Sequence, residues 1–264
     1  MSIKDKKLFL LDMDGTIYLG NRLFDGTLDF LDFIKKSGRR AMFLTNNSSK
    51  SLDKYVEKLN GMGIDVNRED FLSSVQATVK FLKENYGDKK IYALGTESFK
   101  KELIESGLNI TDKVEDGIKC LIMGFDTELT FKKLEDACII LCDENVDYIA
   151  TNPDLVCPTE FGSVPDCGSV SIMLKNATGR YPRFIGKPQP EMINLAVEKS
   201  GFTKEETCIM GDRLYTDIAS GINAGVSTIF VLSGEGTMKD VEEGEWKPEF
   251  IYENIREVYN DLVK

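Results

Sequence analysis

Leu8-Phe9-Leu10-Leu11-Asp12-Met13-Asp14-Gly15-Thr16 is the stretch on which the fold turns. Four apolar residues without alternation read as a strand buried on both faces, the mark of a parallel sheet covered by helices. The polar residues after it fall at the carboxyl end of that strand, where open parallel sheets place their ligands. Outward from it, residues 27–37 carry Leu28, Leu31 and Ile34 at helical spacing, with Gly38 to close the helix. Residues 41–44 form the next strand, running into Thr45-Asn46-Asn47, and residues 51–60 the next helix, with Leu52, Val56 and Leu59 on one face. This βαβ rhythm predicts an α/β protein with a doubly wound, Rossmann-like parallel sheet.

The rhythm continues through residue 264. Helices are expected over 75–85, 99–106, 131–143, 170–176, 190–199 and 215–223. Strands are expected over 91–94, 120–123, 148–150, 183–185, 207–210 and 228–232, with a last strand and helix beyond. Residues 152–168, with Pro153, Pro158 and Pro165, read as a Pro-rich loop. So many strands exceed one ordinary sheet and predict two α/β domains.

Composition narrows the chemistry. The chain has 264 residues, 42% of them apolar and 29% charged, the mix of a globular protein. It contains no histidine, which excludes Ser-His-Asp triads, Cys-His dyads, phosphohistidine and histidine-built zinc sites. A net charge of −11 disfavours a nucleic-acid polymer as partner. No apolar run is long enough for a membrane span, and the stretch before Asp12 is too short for a secretion signal, so a cytoplasmic protein is expected. The six cysteines form no C-x-x-C pair and read as free thiols of a reducing compartment. Between Cys208 and Arg213 stand four residues, one short of a cysteine-phosphatase loop, and Cys208 lies in an expected strand.

The expected strand ends carry Asp12 and Asp14, then Thr45 and Asn46, then Gly186-Lys187-Pro188, then Gly211-Asp212-Arg213 with Asp217 one helical turn on. Alone, residues 12–16 read equally well as an Asp-Gly turn capping a helix, and Lys187 as a surface lysine. Together, Asp12, Asp14, Asp212 and Asp217 would repel one another unless a cation joins them. A hard divalent ion with oxygen ligands, most naturally Mg²⁺, resolves the conflict and accepts a phosphate oxygen. Thr45 offers a hydroxyl and Asn46 a backbone N–H to phosphate, and Lys187 a positive charge. The Gly186-Lys187 pair is not a Walker loop, because Tyr181 and Pro188 break the pattern.

In this order, Asp12-x-Asp14-Gly15-Thr16, Thr45-Asn46, Lys187 and Gly211-Asp212-(four residues)-Asp217 resemble the four motifs of the haloacid dehalogenase superfamily. Tyr18, Gly26, the Thr45-Asn46-Asn47-Ser48 run, Gly186-Lys187-Pro188 and Thr216-Asp217 resemble its NagD-like, para-nitrophenyl-phosphatase branch. That branch inserts a large α/β cap between the second and third motifs. The resemblance implies a core domain of residues 1–74 plus 182–264 and a cap of residues 75–181. It implies hydrolysis of a small phosphomonoester, of the sugar phosphate or nucleoside monophosphate type and also para-nitrophenyl phosphate, through an aspartyl-phosphate. Asp12 would be the nucleophile and Asp14 the general acid and base, with Lys187 balancing charge and Thr45, Asn46 and Lys187 binding phosphate. Mg²⁺ would be held by Asp12, the backbone carbonyl of Asp14 and Asp212, with Asp217 acting behind them or through water. Asn152, Asp154 and Asp166 of the cap would meet the substrate. The branch usually has Pro-Gly-x-Gly where this chain has Pro165-Asp166-Cys167-Gly168, which places a carboxylate where relatives have no side chain. A phosphotransferase or mutase sharing the intermediate, or a non-enzymatic phospho-metabolite-binding protein, are the alternatives. No membrane partner is expected, and a homo-oligomer is neither indicated nor excluded.

Overall fold

Residues 2–49, 51–159 and 161–264 are described by the structure, a computed structural model. The chain divides into two compact units. One comprises Met1–Thr45, Leu52–Leu72 and Lys187–Lys264, the other Asn46–Ser51 and Ser73–Gly186. Each is an α/β unit built on its own sheet.

In the first unit the sheet order is Phe250–Tyr252, Ser227–Val231, Thr207–Gly211, Leu8–Leu11, Arg40–Thr45, Phe71–Ser73. The strands from Phe250–Tyr252 to Arg40–Thr45 pair in parallel. Leu8–Leu11, Thr207–Gly211 and Ser227–Val231 are buried at every position, as strands covered on both faces must be. Alternation sorts their side chains. Phe9, Leu11, Cys208, Met210, Ile229 and Val231 face one core with Phe30 and Ile34 of the helix Thr27–Lys36 and Val258 and Leu262 of the helix Ile255–Val263. Phe230 points the other way, onto Leu214, Ile218 and Val241. From Leu8–Leu11 the chain builds outward to Arg40–Thr45 and Phe71–Ser73, and later returns to build the other side from Thr207–Gly211. The reversal falls between Leu8–Leu11 and Thr207–Gly211, and a ligand crevice opens at such a reversal, at the carboxyl ends of the strands.

The second unit has a parallel sheet of order Arg183–Phe184, Asp147–Ala150, Ile118–Met123, Lys90–Leu94, Ile110–Thr111. Tyr92, Leu94, Leu121, Met123, Tyr148 and Ala150 pack with the helices Phe131–Leu141 and Cys167–Thr178.

Three expectations are corrected. The strand expected over 183–185 pairs Arg183 with Ile149 and Phe184 with Ala150, so it belongs to the second sheet and not to the one that holds Leu8–Leu11. The first unit resumes at Lys187. The expected loop 152–168 contains an antiparallel hairpin of Val156–Thr159 and Gly162–Pro165. Pro158 and Pro165 are tolerated because a two-stranded ribbon leaves outward edges that need no N–H donor. The helix expected over 215–223 is split into a wide turn, Leu214–Ile218, and a short helix, Ala219–Ala224. Among the described residues no helix is long and apolar enough to cross a membrane. All six cysteines are free thiols.

Candidate active site

Asp12 leaves the strand Leu8–Leu11 with its N–H still donated across the sheet to the Met210 carbonyl at 2.9 Å, so its position is set by the parallel ladder. The chain then turns sharply: the N–H groups of Thr16 and Ile17 both reach the Met13 carbonyl, at 3.2 and 3.0 Å. Gly15 makes this possible, with φ at +86° and a Cβ-free face against the Asp212 carboxylate. The turn presents Asp14, whose Oδ2 accepts from the Tyr18 hydroxyl at 3.2 Å. Lys58, from the helix Leu52–Gly61, stands with Nζ 3.8 Å from the Tyr18 ring centre. Asp14 is open to solvent, yet partial desolvation by the atoms around it pushes its carboxyl above the usual carboxylate range. Lys58 opposes that shift and Asp12 adds to it.

Lys187 enters the first unit as a buried cation. Its Nζ donates to Asp12 Oδ1 and to Asp217 Oδ1, both at 2.6 Å. Burial alone would discharge the ammonium, but the two carboxylates outweigh it and hold its pKa above the ordinary lysine value. Asp217 is fully buried, and its second oxygen accepts from the Arg213 N–H at 3.2 Å. It gains that inward aim from the wide turn Leu214–Ile218, where the Ile218 N–H reaches back five residues to the Arg213 carbonyl. Asp212 follows the strand Thr207–Gly211. Its Oδ2 accepts from the Glu235 N–H at 2.7 Å and its Oδ1 from the Thr16 hydroxyl at 3.4 Å. Burial raises Asp212 to about 6, with Asp12 adding to the shift. Burial raises Asp217 as well, against the pull of Lys187.

Asp12, Asp212 and Asp217 each offer one oxygen, all within 4.8 Å of one another. At that spacing each ionised pair repels by about 3 kcal/mol for an effective dielectric near 20. One ammonium bridges two of the three carboxylates, Asp12 and Asp217. The donor set is all oxygen, with Asp212 and Asp217 buried and Asp12 half-buried, and short of positive charge, which fits a hard divalent cation. The Asp14 side chain is not among the three. Thr45 is buried at the end of Arg40–Thr45, its hydroxyl 3.5 Å from the Tyr55 hydroxyl.

The remaining expected residues form a second constellation, within the second unit. Asn46 and Asn152 both donate from Nδ2 to Asp154 Oδ2 at 2.8 Å. Asn152 also donates to Asp166 Oδ1 at 3.2 Å and accepts from the Thr151 hydroxyl at 2.8 Å. The Asn46 side chain bonds Asp154, which leaves the expectation for its backbone N–H untouched. Asp166 was expected to read the leaving group. Its side chain is 5% exposed and caps the helix Cys167–Thr178, accepting from the Cys167 N–H. Gly168 cannot be larger, because a Cβ there would run into the Pro153 carbonyl. Cys208 is buried in its strand with its thiol pushed up by burial, so it is no nucleophile.

Two contributors carried no sequence signal that was read. Lys58 has no motif around it. The Glu235 N–H lies just past the strand Ser227–Val231, at a carboxyl strand end of the kind that carries sites in such sheets.

Residues 9–109 match a model of haloacid dehalogenase-like hydrolases, and residues 184–258 one described as HAD-hydrolase-like. The acid sugar phosphatase of Staphylococcus aureus is 34% identical over 99% of this chain and 100% of its own length. The 4-nitrophenylphosphatase of Thermotoga maritima superposes with a TM-score of 0.91 at 40% identity, covering 98% of both chains. The glycerol phosphate phosphatase of Mycobacterium tuberculosis, solved in complex with magnesium, gives a TM-score of 0.91 at 29% identity over 98% of this chain and 78% of that one. The chain belongs to the haloacid dehalogenase-like hydrolases, in the para-nitrophenyl-phosphatase branch whose motifs its sequence carries.

Proposed function

We propose that this chain is a Mg²⁺-dependent phosphatase that hydrolyses a small phosphomonoester through an aspartyl-phosphate on Asp12. The observation that carries the reading is the buried cluster of Asp12, Asp212 and Asp217 with Lys187 bridging two of its members. A protein that only bound phosphate would gain nothing from burying three carboxylates beside it. With a cation and Lys187 present, the same carboxylates become ligands and a nucleophile.

Asp12, Asp212 and the backbone carbonyl of Asp14 would hold the metal, with Asp217 behind them. The ion supplies positive charge against the phosphate oxygens. Asp12 keeps one oxygen on Lys187, which orients the other for attack on phosphorus. Asp14, its pKa raised by partial desolvation, carries a proton more readily than an ordinary carboxylate and gives it to the leaving oxygen. It then takes a proton from the water that cleaves the aspartyl-phosphate. Thr45 and the Asn46 backbone N–H are assigned to phosphate.

We assign catalysis to the first unit and the role of cap to the inserted one. Asn152 and the partly exposed Asp154 are proposed substrate contacts. The relatives named above are, by their names, an acid sugar phosphatase, a 4-nitrophenylphosphatase and a glycerol phosphate phosphatase, which supports a small phosphorylated metabolite. Six free thiols support a reducing, cytoplasmic setting. The test is phosphate release from a broad panel of phosphomonoesters with Mg²⁺ and with excess chelator. Release that needs the metal is expected; release that survives chelation contradicts the reading.

A further inference from the structure

Two of the groups that fix Asp212 come from a segment outside every motif above. Beyond the strand Ser227–Val231 the chain reads Leu232-Ser233-Gly234-Glu235-Gly236. The Glu235 N–H donates to Asp212 Oδ2 at 2.7 Å, and the Gly236 N–H to the Asp212 carbonyl at 3.0 Å. The Ser233 hydroxyl donates to the Gly15 carbonyl at 2.7 Å. A Cβ on Gly234 would run into the Asp212 carboxylate, as would one on Gly15. The φ of Gly234 is not positive, so glycine stands there for room and not for conformation. The Asp212 carboxylate thus lies between two stretches of bare backbone, one oxygen pinned by an N–H of the loop.

The Glu235 side chain fastens the same loop at a second point. Its Oε2 is 2.9 Å from Arg213 Nε, and its Oε1 accepts from the Tyr215 hydroxyl at 2.9 Å. Arg213 and Tyr215 follow Asp212 almost directly. One residue therefore holds Asp212 through its backbone and holds the chain after Asp212 through its side chain. We infer that Glu235 is a positioning residue for the divalent metal: its carboxylate, clamped by Arg213 and Tyr215, keeps its N–H on Asp212 and so sets metal affinity without touching the ion. The inference rests on the reading of Asp212 as a metal ligand. Loss of such outer support typically weakens metal binding by about 10–100-fold. The half-exposed ion pair itself contributes little to stability, so an effect on metal binding stands out against it.

The experiment titrates Mg²⁺ alone, without substrate, and reads the metal-dependent rise in melting temperature. Wild type, Glu235→Ala, Glu235→Gln and Gly234→Ala are compared, with the Mg²⁺ dependence of nitrophenyl phosphate hydrolysis measured in parallel. The titration midpoint should rise about tenfold or more in Glu235→Ala. It should rise less in Glu235→Gln, which keeps an acceptor for Tyr215 but loses the charge facing Arg213. Gly234→Ala should be at least as impaired as Glu235→Ala. Because Glu235 is exposed, its variants should melt near wild type without metal, which keeps the test valid even where Gly234→Ala folds poorly. Coincident midpoints for wild type and Glu235→Ala overturn the inference and leave the metal site standing. A wild type that shows no Mg²⁺-dependent shift overturns both.

Discussion

Asp14 and Asp166 are both carboxylates near glycine-rich turns, and their surroundings give them different work. Asp14 is open to solvent but partly desolvated by its surroundings, bonded to one phenol and left with a proton-accepting oxygen, the setting of a group that exchanges protons. Asp14→Asn should therefore lower kcat/KM for alkyl phosphates by roughly 10²–10⁴. The loss with nitrophenyl phosphate should be smaller, because a nitrophenolate leaves without a proton. Rates across leaving groups of graded basicity check this, and equal losses across the series would remove Asp14 from the proton transfer. Asp166 instead spends its carboxylate on a helix N-terminus and on Asn152. Asp166→Ala should cost about 1–3 kcal/mol in urea unfolding, from a lost cap and one lost partner of the Asn152 amide, which keeps its bond to Asp154. The ranking of substrates should hold. A changed ranking at unchanged stability would return Asp166 to the role its place in the sequence suggests.

Most elements of the fold were legible because long apolar or periodic runs make them. Leu8–Leu11, Thr27–Lys36 and Ile118–Met123 announce themselves by apolar runs and helical spacing. The hairpin Tyr18–Leu19 with Arg22–Leu23 does not, since two residues a side hold no period. Nor does Val156–Thr159, where Pro158 argues against a strand and only its edge position tolerates it. The strand Arg183–Phe184 was found but placed in the wrong sheet, because two residues do not say which neighbour they pair with. At the site, Asp12, Lys187, Asp212 and Asp217 were legible from strand ends. Lys58 and the Glu235 N–H were not, because a side chain on a helix face and a backbone donor leave no mark of residue type. The turn 13–17 yields a prediction of its own. Gly15→Ala forces a left-handed φ at a cost of about 1–2 kcal/mol and drives a methyl against Asp212. It should lower stability by at least that much and weaken the response to Mg²⁺. Urea unfolding with and without metal measures both, and wild-type values in either would show that Asp212 has room to move.

Across the whole molecule, the acid cluster ties stability to pH and to metal. Burial lifts Asp212 from an ordinary value of 3.8 to about 6, and lifts Asp217 as well. Without metal the folded state then binds more protons than the unfolded one between these values, so stability falls as pH rises through that window. Bound Mg²⁺ favours the ionised carboxylates and offsets the fall, so the metal-induced rise in melting temperature should grow from pH 5 to pH 7, to within about a unit. Melting curves in chelator and in Mg²⁺ across that range test it, and an increment that shrinks with pH would contradict it. The account stands most directly on Asp12 as a metal-assisted nucleophile. The measurement is phosphate release from nitrophenyl phosphate by wild type and Asp12→Asn, side by side, with Mg²⁺ and with excess chelator. Wild type should turn over only with Mg²⁺, and Asp12→Asn should stay folded while losing roughly three orders of magnitude or more in turnover. Near-normal turnover by folded Asp12→Asn, or wild-type turnover in chelator, would contradict the account.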